Sequence, residues 1–271
     1  MPATRHGDPD MRGIARAKFE VDETAVTIAA DQRFIPRAVE GILHARADIE
    51  RQIADDPFFL TTFEPYDRGL AANETTRRMC EASEAVGIGP MACVAGAVAQ
   101  AGLEAMVANG CRHGWVDNGG DIALIVEEPT TIEVFSEPCT RDAIAFEMEP
   151  LGKIIGVCSS SGKLGHSISL GESDVSVAIA DSAVLADAMA TALGNAVHRG
   201  RGLETAFAAV SGVSGFIGGL VMLDGAVGIT GDMPDIVEAE HNLRRMTAHS
   251  RMSSVAYGDG GDNEKPRRMR D

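Results

Sequence analysis

The chain has 271 residues, 45% hydrophobic and 24% charged, the balance of a soluble globular protein with one large domain or two small ones. Forty acids against 24 bases give a formal charge of −16, which argues against nucleic acid or an anionic membrane as the main partner. Between Gly114 and Leu193 there are 13 acids and 3 bases, a density that serves either solubility or a site for metal cations. The five cysteines (Cys80, Cys93, Cys111, Cys139, Cys158) form no C-x-x-C pair. Zinc-ribbon and thioredoxin-like chemistry therefore fail, and a disulfide framework is not expected. Met1 to Gly13 contains Asp8, Pro9 and Asp10 and no apolar core of a signal peptide. The charge-free stretch from Ala85 to Leu103 is rich in Gly and Ala, whereas a membrane span favours Leu, Ile and Phe. The expected location is cytoplasmic.

In chain order, residues 1–17 read as a tail. Phe19-Glu20-Val21 and Val26-Thr27-Ile28 alternate around Asp22-Glu23-Thr24 and predict a hairpin. Val39, Ile42, Leu43, Ile49 and Ile53 recur at helical spacing between Pro36 and Ala54. Residues 57–72, with Pro57, Pro65 and Gly69, predict a loop, after which Asn73 caps a helix through Val86. Pro90 opens a second helix that runs to about Ala108 and ends at Asn109-Gly110.

From there the hydrophobic period changes to two. The expected strands are Gly114–Val116, Ile122–Val126, Thr131–Phe135, Ala143–Glu147, Ile154–Val157, Ser167–Leu170 and Val175–Ala180. A helix from Ser182 to about His198 and a shorter one over Leu203–Val210 follow. A hairpin turning at Asp224-Gly225 joins Leu220–Leu223 to Ala226–Thr230. The fold class expected is α+β, a single domain over residues 18–246 with a mostly antiparallel sheet and packed helices. Residues 247–271 read as a flexible tail.

Three segments carry chemistry. Asn118, Gly119, Gly120 and Asp121, preceded by Asp117, read as a tight hairpin turn. Equally, two glycines let the backbone approach a phosphate or a ring beside carboxylates. The second segment sets Ser159, Ser160, Ser161, Gly162, Lys163, Gly165 and His166 after a strand. Its hydroxyls and free N–H groups suit phosphate oxygens, although the P-loop order is absent and a plain Ser/Gly surface loop has the same composition.

The third segment is the helix from Ser182. At 100° per residue, Asp187, Thr191, Asn195 and His198 share an arc of about 80°. No Lys, Arg or Glu occurs from Val175 to His198, so the stripe suits a buried site better than a solvated face. Asp187 and Thr191, four apart, offer a carboxylate and a hydroxyl to a hard cation such as Mg²⁺.

The chain is similar, on these segments, to the ApbE superfamily, which contains the FAD:protein FMN transferases. Asn118-Gly119-Gly120-Asp121, Ser160-Ser161-Gly162 with His166, and Ala186-Asp187-Ala188-Met189-Ala190-Thr191 resemble, in order, its G-G-D/E, T-S-G…H and D-A-x-A-T motifs. The similarity is strongest to its cytoplasmic bacterial and archaeal branch and covers about residues 15–245. The resemblance implies an α+β fold, Mg²⁺ as cofactor, and FAD as a ligand. By the same resemblance Asp187 and Thr191 hold the metal, while Asn118, Gly119, Gly120, Asp121, Ser159, Ser160, Ser161 and Gly162 lie at the nucleotide. His166 and Asp187 become the catalytic candidates. The implied reaction is attack of a target-protein Thr hydroxyl on the flavin pyrophosphate, with FMN transferred and AMP leaving.

The transferases continue after the histidine into I-D-P-x-T-G, whereas here Ser167-Ile168-Ser169-Leu170-Gly171 follows. That departure motivates two alternatives: a binding or assembly protein that kept the fold, and a metal-dependent enzyme on another phosphorylated or carboxylated small molecule. The exposed hairpin edges expected here are compatible with a homodimer.

Overall fold

The structure is a computed structural model that describes residues 13–134, 144–160, 171–238 and 246–248. Strands β1 (Ile14–Val21) and β2 (Thr24–Asp31) form the expected hairpin, with Asp22 in the left-handed region at φ 48°. Pairing starts at Ile14 and so reaches into the segment expected as a tail. Helix α1 (Ile35–Asp55) buries Ala38, Ile42, Ala45 and Ile49, three or four residues apart, as its pattern requires.

Residues 57–72 depart from the expected loop. They contain a one-turn helix, α2 (Phe58–Thr61), and a 3₁₀ turn over Arg68–Leu70. Each is started by a local carboxylate: Phe58 N–H donates to Asp56 at 3.0 Å and Gly69 N–H to Asp67 at 2.8 Å. Such one-turn elements leave no periodic signature. Helix α3 (Glu74–Val86) begins as predicted at Asn73, whose side chain accepts Thr76 N–H at 2.9 Å, and stops at Gly87 with φ 74°.

A 3₁₀ turn over Pro90–Cys93 leads into α4 (Val94–Ala108). The continuous stretch Pro90–Ala108 is long and apolar enough to cross a membrane by length and composition. Here it packs against α1, α5 and the sheet, with Gly96, Ala97, Ala99, Leu103 and Met106 buried.

The central sheet has eight strands in the order β1-β2-β3-β4-β7-β8-β9-β10, every neighbouring pair antiparallel. The inner strands are β3 (Gly114–Asn118), β4 (Asp121–Ile125), β7 (Ile155–Ser160) and β8 (Val175–Ala180), followed by β9 (Phe216–Leu223) and β10 (Ala226–Gly231). A second sheet orders β11 (Asp235–Glu238), β6 (Ile144–Met148), β5 (Thr130–Val134) and β12 (Met246–Ala248), with β12 parallel to β5. Strands β11 and β12 were not expected from the sequence, and β12 falls at the edge of the segment read as a C-terminal tail. The expected strand Ser167–Leu170 lies outside the described residues.

Alternation along the inner strands divides the core in two. Ile28, Val116, Ala123, Cys158 and Ala178 face α4 and α5, whereas Trp115, Ile122, Leu124, Val157 and Val177 pack with Ile132 and Phe146 of the small sheet. Both sheet faces are covered, so these strands are apolar at nearly every position. Helix α5 (Ala183–Ala196) starts at Ser182, whose side chain accepts Leu185 N–H at 3.3 Å, and lies on β7 and β8. The result is an α+β fold, mostly antiparallel, with helices on one face of the large sheet and a small sheet on the other.

Candidate functional site

The β3–β4 turn is as tight as its sequence demands. Asn118 pairs directly with Asp121, leaving Gly119 and Gly120 at φ 69° and 106°. A Cβ at Gly119 would meet nothing within 4 Å, so backbone conformation, not packing, selects glycine there. The turn is held on both sides. Gly120 N–H donates to the Asp117 carboxylate at 2.9 Å, and Ser159 donates to the Gly120 carbonyl through its N–H (3.2 Å) and its hydroxyl (3.3 Å).

Register sends the polar residues of this turn to opposite faces. Asn118 and Asp121 share the helix face with Val116, Ala123 and Cys158, while Asp117 and Ser159 share the far face with Trp115 and Val157. The hydroxyl run is thereby split: Ser160 lies on the helix side and Ser159 serves the turn from behind. On the far face Arg16 sits 5.6 Å over the Trp115 ring. Burial pushes Asp117 up to about 7, partly offset by the Gly120 N–H and the Arg16 charge.

On the helix side the segments meet at the start of α4. Asn118 Nδ2 donates to the Ala95 carbonyl at 3.2 Å. The next residue, Gly96, donates its N–H to Asp187 Oδ2 at 2.8 Å. One turn along α5, the Thr191 hydroxyl donates to the Ala92 carbonyl at 3.4 Å. Ser176 bridges the end of β7 to α5, its hydroxyl lying 2.8 Å from the Ala190 carbonyl and 3.1 Å from that of Ser160.

Contact between α4 and α5 depends on Gly96, where a Cβ would lie 2.3 Å from the Ala183 carbonyl oxygen and 2.8 Å from Asp187 Cβ. Asp187 and Thr191 are buried, and around them Met91, Ala92, Ala95, Asn118, Ser160 and Asn195 are half-buried. The polar stripe of α5 does not face bulk solvent. The helix ends at Ala196, so His198 falls beyond it in the following turn and not on the expected arc. Ser161, Gly162 and His166 lie outside the described residues.

Two carboxylates occupy this interior. Burial pushes Asp187 up, partly offset by the Gly96 N–H. Burial and then the Asp187 charge push Asp121 well above the usual carboxylate range. The Cys158 thiol donates to the Ala183 carbonyl at 3.4 Å, and Asp121 Oδ1 is buried with no hydrogen-bond partner. Cys93 and Cys158 are themselves pushed well up by burial, which keeps them as inert core thiols.

Sequence reasoning set Asp121 with the nucleotide turn and missed its proximity to Asp187. The signal was period-two counting from Ala123 and Ile125. Among the described residues no three His, Cys, Asp or Glu side chains form a metal cluster. The oxygens this interior offers are of mixed type: the Asp187 carboxylate, the Thr191 hydroxyl bonded to the Ala92 carbonyl, and the orphaned Asp121 oxygen. They fit a hard cation that completes its shell with water or phosphate, and do not fit zinc.

Comparison with known proteins gives the family and the fold. Residues 8–211 match the family model described as AbpE bacteria. A UPF0280 protein of Methanocella arvoryzae is 40% identical over 238 residues, covering 85% of this chain and 94% of the relative. One from Methanosarcina barkeri is 40% identical over 248 residues, covering 91% and 98%. Among solved structures, the flavin transferase ApbE from Vibrio cholerae superposes with a TM-score of 0.53 at 12% identity, covering 80% of this chain and 96% of that one. The Pseudomonas stutzeri flavinyl transferase ApbE gives 0.52 at 14% identity, covering 80% and 93%; such identities show a shared fold. The chain belongs to the AbpE bacteria family and has UPF0280 proteins among its relatives.

Proposed function

We propose that the chain binds a flavin or a related nucleotide with Mg²⁺ where the β3–β4 turn, the start of α4 and α5 meet, and that it transfers or cleaves at the pyrophosphate. The observation that carries this reading is the placement of Asp187 and Thr191 one turn apart on α5, each bonded to backbone of residues 92–96. The Vibrio cholerae and Pseudomonas stutzeri proteins of the same fold, which are flavin transferases, support the substrate class.

In this reading Asp187 and Thr191 hold the cation, helped by the Ala92 carbonyl. The bound ion would neutralise charge on the pyrophosphate oxygens. Gly119 and Gly120 allow the backbone to approach the nucleotide, Asn118 is oriented by Ala95, and Ser160, Ser161 and Gly162 take phosphate oxygens. His166 serves as acid, base or orienting group. The working unit in this reading is residues 14–248 in the cytoplasm, as a homodimer acting without membrane or nucleic acid.

The test is incubation with FAD and Mg²⁺, followed by chromatography for AMP and FMN. Product from the wild type and none from Asp187→Asn supports the reading; the absence of both product and FAD binding refutes it. The Gly96–Asp187 hydrogen bond favours a second reading. A carboxylate that caps the start of α4 already has a structural task, as in a binding or assembly protein without chemistry. Metal affinity left unchanged by Asp187→Ala would favour that alternative.

A further inference from the structure

We propose that Asp121 is a positioning residue of the same cation site, supplying a second carboxylate from the sheet side opposite Asp187. The inference rests on the reading above and concerns this chain's own residues. Asn118 and Asp121 lie directly opposite each other across the turn, on the helix face. Asn118 is bonded to Ala95, and the adjacent Gly96 amide is bonded to Asp187. The next strand gives the same location. Asp121 is opposite Cys158, and the Cys158 thiol touches the Ala183 carbonyl, one helical turn before Asp187. Two independent paths therefore bring the β4 carboxylate to the α5 carboxylate.

Asp121 is more than nine-tenths buried, and its Oδ1 has no hydrogen-bond partner. An orphaned carboxylate oxygen is costly in a protein interior unless something compensates it. No Lys, Arg or His is bonded to either acid among the described residues; Asp187 has the Gly96 amide, and Asp121 lies beside the Cys158 thiol and the Ser159 amide. A divalent cation between the two carboxylates supplies the missing compensation, with Thr191 and Ala92 adding neutral oxygens. A carboxylate at position 121 is required by this arrangement; the nucleotide-turn role alone needs only the glycines.

The experiment is titration of the full chain with Mn²⁺ alone, followed by calorimetry, together with melting of the metal-free protein. The variants are Asp121→Asn, Asp121→Glu and Asp187→Asn. Both Asn variants are expected to lose at least tenfold in Mn²⁺ affinity, while Asp121→Glu retains binding. Metal-free Asp121→Asn is expected to melt no lower than wild type, because without the cation the unpartnered carboxyl contributes nothing to the fold. A merely structural Asp121 would do the reverse, lowering the melting temperature with Mn²⁺ affinity intact, and that result overturns the inference. Loss of binding in Asp187→Asn alone overturns it while leaving the proposed function standing. No Mn²⁺ binding by wild type overturns both. If the Asp121 variants do not fold, wild type labelled at aspartate ¹³Cγ decides the matter. Titration with diamagnetic Mg²⁺ should shift two buried aspartate ¹³Cγ signals, and a shift of only one contradicts the proposal.

Discussion

Asp187 of α5 accepts the Gly96 amide of α4 at 2.8 Å, across 91 positions of sequence. This bond places a carboxylate at a helix N-terminus, where the free N–H groups and the dipole favour negative charge. It also fixes the spacing of the two helices that flank the proposed cation site. Because a side chain at position 96 would meet Ala183 and Asp187, Gly96→Ala should destabilise the fold by about 1–3 kcal/mol. Urea denaturation measures this, and Gly96→Ala should weaken Mn²⁺ binding more than a substitution elsewhere in α4.

Thr191 separates hydroxyl chemistry from packing. Thr191→Val keeps the shape and removes the donor to Ala92, so Mn²⁺ affinity should fall several-fold while the melting temperature changes little. Thr191→Ser should retain affinity. Calorimetry on the two variants checks both expectations.

Asp117 gives the chain a pH dependence with a definite sign. Its carboxyl is held up to about 7 in the fold, against 3.8 for the free group. Between those values the folded chain keeps a proton that the unfolded chain has lost, so stability falls as pH rises from about 4 to about 7. Above about 7 both states are ionised and the slope ends. Asp117→Asn keeps an acceptor for the Gly120 amide and should flatten this slope. Its gain over wild type should be near zero at pH 4 and a few kcal/mol at pH 8, read by denaturation at each pH.

Cys80, Cys93, Cys111 and Cys158 are all buried free thiols, and burial pushes each upward. In a Cys139→Ser background, a thiol reagent should label the native chain slowly and at the rate of opening. Prompt labelling of Cys158 would contradict the packing of β7 against α5.

Much of this architecture was legible because its signals are local. The Asn73 cap, the spacing of Ile42 and Ile49, the Asp224-Gly225 turn and the alternation of Ile122 to Ile125 each act within a few residues. Strands β11 and β12 are four and three residues long and gain their place only by pairing with β6 and β5. At the site, the residue types were readable but their faces were not. Ser159 and Ser160 are consecutive, so the pleat must separate them, and a loop reading of that segment hides this. The orphaned oxygen of Asp121 depends on neighbours far away in sequence, and no window along the chain contains it.

The most direct measurement is calorimetric titration of FAD into the full chain with and without Mg²⁺, repeated on Asp187→Asn, which keeps an acceptor for the Gly96 amide. Wild type should show saturable, Mg²⁺-dependent binding that is lost in the variant. FAD binding that is absent, or equally strong without Mg²⁺ and in Asp187→Asn, would contradict it.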